Sequence, residues 1–431
     1  MQRTYLKDVK NGEECLIEGF IETIRDQKSM QFIIIKDISG KIQVTVDKAK
    51  SPEVAQTFSS VTVQSVVKIE GKVIENVCVK VGGKEFIPTS VVVLSVAENL
   101  PINEETALDM RLDYRWLDLR SDKKTFIFQL QTAIEHYMRD YFLNNNFIEI
   151  HSPKLIASAS ENGSELFGLK YFGQQAYLAQ SPQFYKQMAM ASGFDRVFEI
   201  GPVFRANPSF TSRHDTEFTM LDVEISYIED VAKVMEFEQN WIVNTLTKIK
   251  ALYGDKVKEL YGLDIEIPTV PFPVVTCKEA EEILKGLGHE LPKENHGDLD
   301  SQGEKLLYQY IKEKYNHDFV FIRDYDPKAR AFYSKRDEKT GLAMAYDLLF
   351  KGLEITSGAC REHRYEQIKN QIIESKMSVE TNHFYMEFFK YGCPPHGGFG
   401  FGLSRFTMLL LGIPNVREVT YIYRGPNRLT P

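Results

Sequence analysis

Three groups of residues in this chain have side chains suited to handling a phosphate ester. The first is Phe204-Arg205-Ala206-Asn207 with Arg213-His214-Asp215 and Glu217-Phe218 close behind. Arg205 follows an apolar run that reads as a strand and is expected to emerge at its end, facing a concave site. A guanidinium donates two parallel hydrogen bonds to a phosphate and keeps its charge. Alone, Arg205 would read as a surface ion pair. The Arg213-His214 pair on a turn, followed by an aromatic ring able to stack on a base, makes a nucleotide site the better reading.

The second group is Gly397-Gly-Phe-Gly-Phe-Gly402-Leu403-Ser404-Arg405. The match to a dinucleotide loop is weak because no βαβ unit with an acidic residue about 20 residues on follows it, and a Walker loop is absent because there is no Gly-Lys-Ser/Thr. It reads as a glycine strand permitting close approach of ATP, running into a helix over 403–411 with Arg405 at its start. The helix N-terminus and the arginine both favour phosphate. The third group is Asp347-Leu-Leu-Phe-Lys-Gly-Leu-Glu354-Ile-Thr-Ser357-Gly-Ala-Cys-Arg361. Glu354 and Ser357 offer oxygen ligands for Mg2+, and Asp347 could add to that shell or be a solvated strand acid.

The elements that must hold these residues can be read in outline. Residues 1–100 are β-branched and broken by turns, with Asp37-Ile-Ser-Gly40 as a hairpin and a helix at 51–58. Five short strands suit a barrel of the OB type or another small β-domain. Asn99-Leu-Pro-Ile-Asn103 opens a hinge over 101–121. An amphipathic helix is predicted from Ser121 to Leu143, its apolar positions Phe126, Phe128, Leu130, Ile134 and Met138, with Ser121-Asp122 as the N-cap. A short strand ends at Pro153. Strands and glycine turns alternate over 150–227. A helix-rich stretch covers 229–340, β-type sequence resumes at Ala343, and a helix is predicted near 363–376.

Composition narrows the function classes. A chain of 431 residues exceeds one small domain. A net charge of −8 argues against a general polyanion binder while allowing a local basic surface. Five scattered cysteines with no CxxC or Cys/His cluster give no zinc site and suit a reducing, cytoplasmic setting. No apolar stretch is long enough to span a bilayer, and the N-terminus lacks a signal-peptide core.

Taken together, the motifs resemble the aspartyl-tRNA synthetases of class II, in the short archaeal/eukaryotic form. The segments that carry the resemblance are Phe147-Ile-Glu-Ile-His-Ser-Pro153, Ala157-Ser-Ala-Ser-Glu161-Asn-Gly-Ser-Glu-Leu-Phe167, Gln180-Ser-Pro-Gln183-Phe-Tyr-Lys186, Ser357-Gly-Ala-Cys-Arg361, Pro394-Pro-His-Gly-Gly398 and Arg428-Leu-Thr-Pro431. They span essentially the whole chain. The resemblance implies an α+β protein: an N-terminal OB-fold anticodon-binding barrel (1–100) and a class II antiparallel-sheet catalytic domain (122–431) with an insertion at about 229–340. It also implies a homodimer formed through the segment Phe147–Pro153, motif 1 of the class. ATP and Mg2+ would be bound, and L-aspartate would be joined to tRNA(Asp) through an aspartyl-adenylate.

By the same resemblance, Arg205 would meet the α-phosphate, Phe218 the adenine, and His214 and Arg405 the outer phosphates. Ala206, Asn207, Arg213, Asp215, Gly402, Leu403 and Ser404 would complete the ATP site. Glu354, Ser357 and Asp347 would face Mg2+. Lys186 and Arg361 would take the aspartate side chain, with Glu161, Gln183, Arg205, Asp222 and Ser357 around it. Arg25, Phe32 and Gln43 match anticodon contacts, although Phe32 also fits a core position.

Asparaginyl-tRNA synthetases, the nearest alternative, typically carry an acid in place of Lys186. Asparagine would leave buried cationic donors unpaired, at about 1.5–3 kcal/mol each, so two such losses discriminate by roughly 10⁴-fold. A catalytically silent tRNA-binding paralogue is the other alternative, and it would need none of Arg205, Glu354, Ser357, Arg361 and Arg405. The chain departs from the family at Asn207, where a glutamate is usual, and at Tyr423-Arg424-Gly425-Pro426, usually Phe-Pro-Arg-Asp. The sequence leaves open whether tRNA(Asn) is also charged with aspartate.

Overall fold

The computed structural model describes residues 2–161, 165–209 and 211–431. Two compact units divide at Leu117 and Asp118, inside the stretch expected as a hinge. That stretch is itself partly helical, as α2 (Leu108–Asp113) and α3 (Arg115–Asp118).

The first unit holds a closed five-stranded barrel in the order β1-β2-β3-β5-β4. Its strands are β1 (Glu14–Asp26), β2 (Met30–Asp37), β3 (Gly40–Asp47), β4 (Val66–Glu75) and β5 (Lys84–Ser95), with α1 (Pro52–Ser59) between β3 and β4. Strict alternation buries Ile33 and Ile35 of β2 and turns Phe32 to the outer face. The hairpin forms at Asp37 because its carboxylate accepts from the backbone N–H of Ser39 (2.7 Å) and Gly40 (3.0 Å).

The second unit is built on an eight-stranded sheet in the order β12-β13-β14-β15-β16-β11-β10-β6. The strands are β6 (Ile148–Glu149), β10 (Arg196–Phe204), β11 (Glu217–Ser226), β12 (Val274–Thr276), β13 (Phe319–Tyr325), β14 (Ala343–Phe350), β15 (Leu353–Arg361) and β16 (His396–Gly402). A separate three-stranded sheet contains β7 (Leu155–Ile156), β8 (Gly168–Tyr171) and β9 (Gln174–Leu178). The strands from β13 through β10 pair antiparallel, and the two edge pairings are parallel.

Helices α4 (Asp122–Asn144) and α6 (Val231–Tyr261) pack together and place Phe126, Ile134, Phe142, Trp241 and Leu246 in one core with Phe399 and Phe401 of β16. Asp230 caps α6 by accepting from the Ala232 N–H, and Gly262 ends it in the left-handed region at φ 71°. Ser121 is the N-cap residue of α4, yet its side chain makes no capping bond. The remaining helices are α5 (Gln183–Ala191), α7 (Cys277–Gly286), α8 (Ser301–Tyr315), α9 (Tyr365–Glu374), α10 (His383–Glu387) and α11 (Leu403–Leu410).

The helix-rich stretch expected as an insertion contributes strands as well as helices. It supplies β12 and β13 to the main sheet, and β13 buries Phe319, Val320, Phe321 and Ile322. The parallel β12/β13 step requires a crossover, which α7 and α8 provide. Among the described residues, no helix is long and apolar enough to cross a membrane.

Candidate active site

A cavity of about 750 Å³ opens on the sheet of the second unit, lined from the β10–β11 loop, β11, β14, β15, β16, α5 and α11. The three sequence groups converge there. Arg205 leaves the end of β10, its backbone N–H bonded to the Thr216 carbonyl (2.9 Å) across the neck of the β10–β11 loop. Its guanidinium lies over the Phe218 ring, 5.4 Å from the centroid. The buried Nε of Arg205 has no hydrogen-bond partner, and no carboxylate pairs with it among the described residues. A guanidinium with a buried, unsatisfied donor is a receptor for an anion.

Arg405 sits in the first turn of α11, as the sequence predicts. Its Nη1 donates to the Glu354 carbonyl (2.8 Å) and its Nε to the Arg213 carbonyl (3.3 Å), which ties β15, the loop and α11 together. His214 Nδ1 hydrogen-bonds with the hydroxyls of Thr211 and Ser209. Burial, then the charges of Arg405, Arg213 and Arg205, push its pKa down to about 4, so it enters the site as a neutral ring. Asp215 is buried, accepts from Thr420 (2.9 Å) and is raised to about 7, chiefly by burial.

Asn207, at the position where a glutamate is usual, lines the cavity and accepts from the Glu165 N–H at 3.2 Å. Ala206 gives its N–H to the Glu165 carbonyl (3.0 Å). The segment 423–426 packs against the neck of the same loop, where the Arg424 carbonyl accepts from the Thr216 N–H (3.1 Å). Of the glycine strand, Gly400 and Gly402 reach the cavity, and Ser404 follows them. Leu403 is buried and starts the helix.

The donor set for Mg2+ is smaller than expected. Asp347 does not reach the cavity. Arg330 holds it with Nη1–Oδ1 3.0 Å and Nη2–Oδ2 2.5 Å, and the Tyr325 hydroxyl adds a third bond at 2.9 Å. Its two oxygens already accept four hydrogen bonds, two from Arg330 and one each from Tyr325 and Ser357, which fill the lone pairs a metal would need. Ser357 lines the cavity, donates to Asp347 and accepts from Arg330. Glu354 is half-buried at the cavity, with its carboxyl raised by burial and then by the charge of Asp347. A cation beside Glu354 would relieve that. One carboxylate and one hydroxyl fit magnesium, which completes its octahedron with phosphate oxygens and water. No cluster of three or more His, Cys, Asp or Glu suited to a metal exists among the described residues.

Lys186 and Arg361 meet in the cavity wall, and both are nearly fully buried. Lys186 Nζ lies 3.0 Å from Asp222 and 3.4 Å from Glu224, with the Phe399 carbonyl at 3.2 Å. Arg361 Nε donates to the other oxygen of Glu224 at 3.0 Å, and its guanidinium lies over Tyr333. Burial opposes ionisation of Glu224, but Arg361 and Lys186 outweigh it and hold the carboxyl below its usual value. Burial dominates at Asp222, and its carboxyl is raised.

Glu161 accepts from Tyr333 (2.7 Å) and Ser181 (2.5 Å). Residues 162–164 lie outside the described residues. Gln183 donates to Gln187 (2.9 Å), and Gln187 in turn bonds the buried, neutral His396 (2.9 Å).

Sequence reasoning missed Glu224, Arg330, Glu304 and Tyr333. Glu224 lies two residues from Asp222 on β11, so the strand period of two already placed both on one face. The other three come from distant parts of the chain and leave no local signal.

In the barrel, Arg25 and Phe32 are cross-strand partners, with the guanidinium 4.6 Å from the ring centroid. Gln43 donates to Thr45 (3.2 Å), and Thr45 to Glu85 (2.7 Å). These residues form one strip across β1, β2, β3 and β5, and Phe32 belongs to it rather than to the core.

Residues 107–423 match the family described as tRNA synthetases class II (D, K and N), and residues 15–94 match the OB-fold nucleic acid binding domain. The chain belongs to the class II tRNA synthetases, a family of aminoacyl-tRNA ligases. It is 40% identical over 428 residues to the aspartate–tRNA(Asp) ligase of Thermococcus kodakarensis, covering 98% of this chain and 97% of the relative. It is 39% identical to the aspartate–tRNA(Asp/Asn) ligase of Aeropyrum pernix, covering 99% of each chain. The crystal structure of asparaginyl-tRNA synthetase from Pyrococcus horikoshii with asparaginyl-adenylate superposes with a TM-score of 0.91 at 28% identity, covering 100% of both chains.

Proposed function

We infer that the protein is an ATP-dependent aspartate–tRNA ligase. The observation that carries this reading is the buried cation pair Lys186 and Arg361 beside an unpaired Arg205. Two buried cations suit a ligand with a side-chain carboxylate and penalise its neutral amide isostere, which leaves a charged donor unmatched.

In this mechanism Arg205 neutralises the α-phosphate of ATP, and the Phe218 ring offers a stacking face to adenine. Lys186 and Arg361 hold the aspartate side chain, so the α-carboxylate is aimed at the α-phosphorus for in-line attack. The new carboxylate–phosphorus bond forms as the bond to pyrophosphate breaks. A terminal hydroxyl of the tRNA then attacks the aspartyl carbonyl and AMP leaves. Glu354 and Ser357 would hold magnesium, which supplies charge neutralisation on the departing phosphates.

The strip of Arg25, Phe32 and Gln43 offers a stacking ring and amide donors to splayed anticodon bases. Leu143 and Ile148, about half exposed, suit burial against a second copy in a homodimer. The reaction belongs in the cytoplasm.

Charging of purified tRNA(Asp) and tRNA(Asn) transcripts with labelled aspartate tests the reading. Aspartyl-tRNA(Asp) is the expected product. Charging of tRNA(Asn) as well marks a non-discriminating enzyme, a specificity carried by the name of the Aeropyrum relative. Acceptance of aspartate on neither transcript sinks the assignment.

A second test uses His214. Its pKa is depressed to about 4 in the free site by burial and three arginines. Bound phosphates neutralise those arginines and favour the imidazolium, so the pKa rises. The ATP complex therefore binds more protons than the free protein from about pH 4 up to the raised pKa, and this group strengthens ATP binding as pH falls through that window. NMR of the His214 ring with and without a non-hydrolysable ATP analogue reads the shift. An unmoved pKa would mean that the ring does not face the phosphates.

A further inference from the structure

The loop between β10 and β11 presents Arg213 to the cavity, and the side chain that holds it comes from a remote part of the chain. Arg213 Nη1 lies 2.5 Å from Oε2 of Glu304 on α8. The two are 91 residues apart in sequence. The Glu304 side chain is 7% exposed and that of Arg213 26% exposed. Asp300 caps α8 by accepting from the Gly303 N–H at 2.7 Å, one residue before Glu304. The carboxylate is thus fixed on a rigid, capped helix, and the guanidinium rides on a loop. Among the described residues Nη1 carries the only hydrogen bond of the Arg213 side chain, which leaves Nε and Nη2 free. Arg213 is further tied by its carbonyl, which accepts from Arg405.

We propose that Glu304 is a positioning residue for the nucleotide site: it anchors Arg213 from behind so that the remaining guanidinium donors face the phosphates of ATP. This rests on the reading of Arg213 as a phosphate ligand. The contrary role is competition, with Glu304 withholding Arg213 until ATP pulls it away. Burial decides against competition. A departing Arg213 would strand a carboxylate in the interior with no counter-ion, and removing one partner of a buried pair is strongly unfavourable. The carboxyl is raised to about 7 by burial, with Arg213 the largest group drawing it back down, so its ionised form depends on that partner. Arg213 therefore stays anchored while it binds. The helix-rich stretch between Arg205 and Arg405 then supports the nucleotide site through α8.

The test is aspartate-dependent ATP–pyrophosphate exchange by the wild type, Glu304→Ala, Glu304→Gln, Arg213→Ala and the Arg213→Ala/Glu304→Ala double variant, with melting curves for each. Glu304→Ala is expected to raise the KM for ATP about tenfold, with kcat and the KM for aspartate within about twofold. Glu304→Gln, which keeps an acceptor oxygen, should recover part of that loss. The double variant should be no worse than Arg213→Ala, because the two residues act as one unit. A lower KM for ATP in Glu304→Ala would establish competition and overturn the proposal, as would an unchanged KM or additive effects in the double variant. Normal ATP kinetics in Arg213→Ala would instead overturn the assignment of Arg213 itself. If Glu304→Ala fails to fold, Glu304→Gln carries the same comparison with nearly the native shape.

Discussion

Lys186→Met lowers kcat/KM for aspartate activation by roughly 10²–10³-fold and leaves ATP affinity nearly intact. Lys186 is 2% exposed and is the cation shared by Asp222 and Glu224. Removing one partner of a buried ionic group costs about 3–5 kcal/mol, because the charges left behind have neither water nor a counter-ion. Asp222 is the less secure of the two acids. Burial already raises its carboxyl, and Lys186 is the leading charge that pulls it down, whereas Glu224 keeps Arg361 as a second partner. In the variant Asp222 is expected to protonate first, and Arg361 alone would face the aspartate side chain. Lys186→Glu is more severe, since it adds a third carboxylate to a site with one remaining cation. Pyrophosphate exchange at varied aspartate, beside equilibrium binding of ATP, separates the two ligands. A wild-type KM for aspartate in Lys186→Met would remove Lys186 from the amino-acid pocket.

Much of the frame that holds this pocket is legible in the sequence, because its signals are local. Period-two alternation in β2 and the Asp37 turn define the first hairpin of the barrel. Arg205 at a strand end and Arg405 in a helix first turn are consequences of apolar runs that stop where expected. What the sequence does not carry is pairing over long separations. Asp347 reads as a metal ligand because Arg330, its actual partner, sits in a different segment and has no motif of its own. The same holds for Glu304 and Arg213. The sheet strand β13 was hidden for another reason. Its apolar run Phe319–Ile322 is short and lies among helices, and only the completed sheet distinguishes a buried strand from a helix fragment.

The glycine strand shows the same limit at single-residue scale. A run of glycines suggests room for ATP, yet the structure divides them between two tasks. Gly400 lines the cavity, whereas Gly398 pairs with Glu224 of β11. A Cβ on Gly398 would lie 2.0 Å from the Val223 carbonyl oxygen and 2.5 Å from Oε2 of Glu224. The first is backbone in a central strand, and the second is the carboxylate behind Lys186 and Arg361. Neither can yield cheaply. A Cβ on Gly400 would meet the Met220 methyl at 2.2 Å, the far end of a flexible side chain, and then Asp222 at 3.3 Å.

Gly398→Ala is therefore expected to cost about 3 kcal/mol or more, the upper end of overpacking, and to lower Tm by roughly 5–10 °C. Because the clash displaces Glu224, the loss of aspartate activation should exceed what the lower stability alone produces. Gly400→Ala should keep Tm within a few degrees. Melting curves of the two variants, followed by pyrophosphate exchange well below both transitions, make the comparison. Equal Tm values would mean that β11 and β16 do not approach as closely at Gly398 as the structure has them. Glu224 would then lose its place between the two cations.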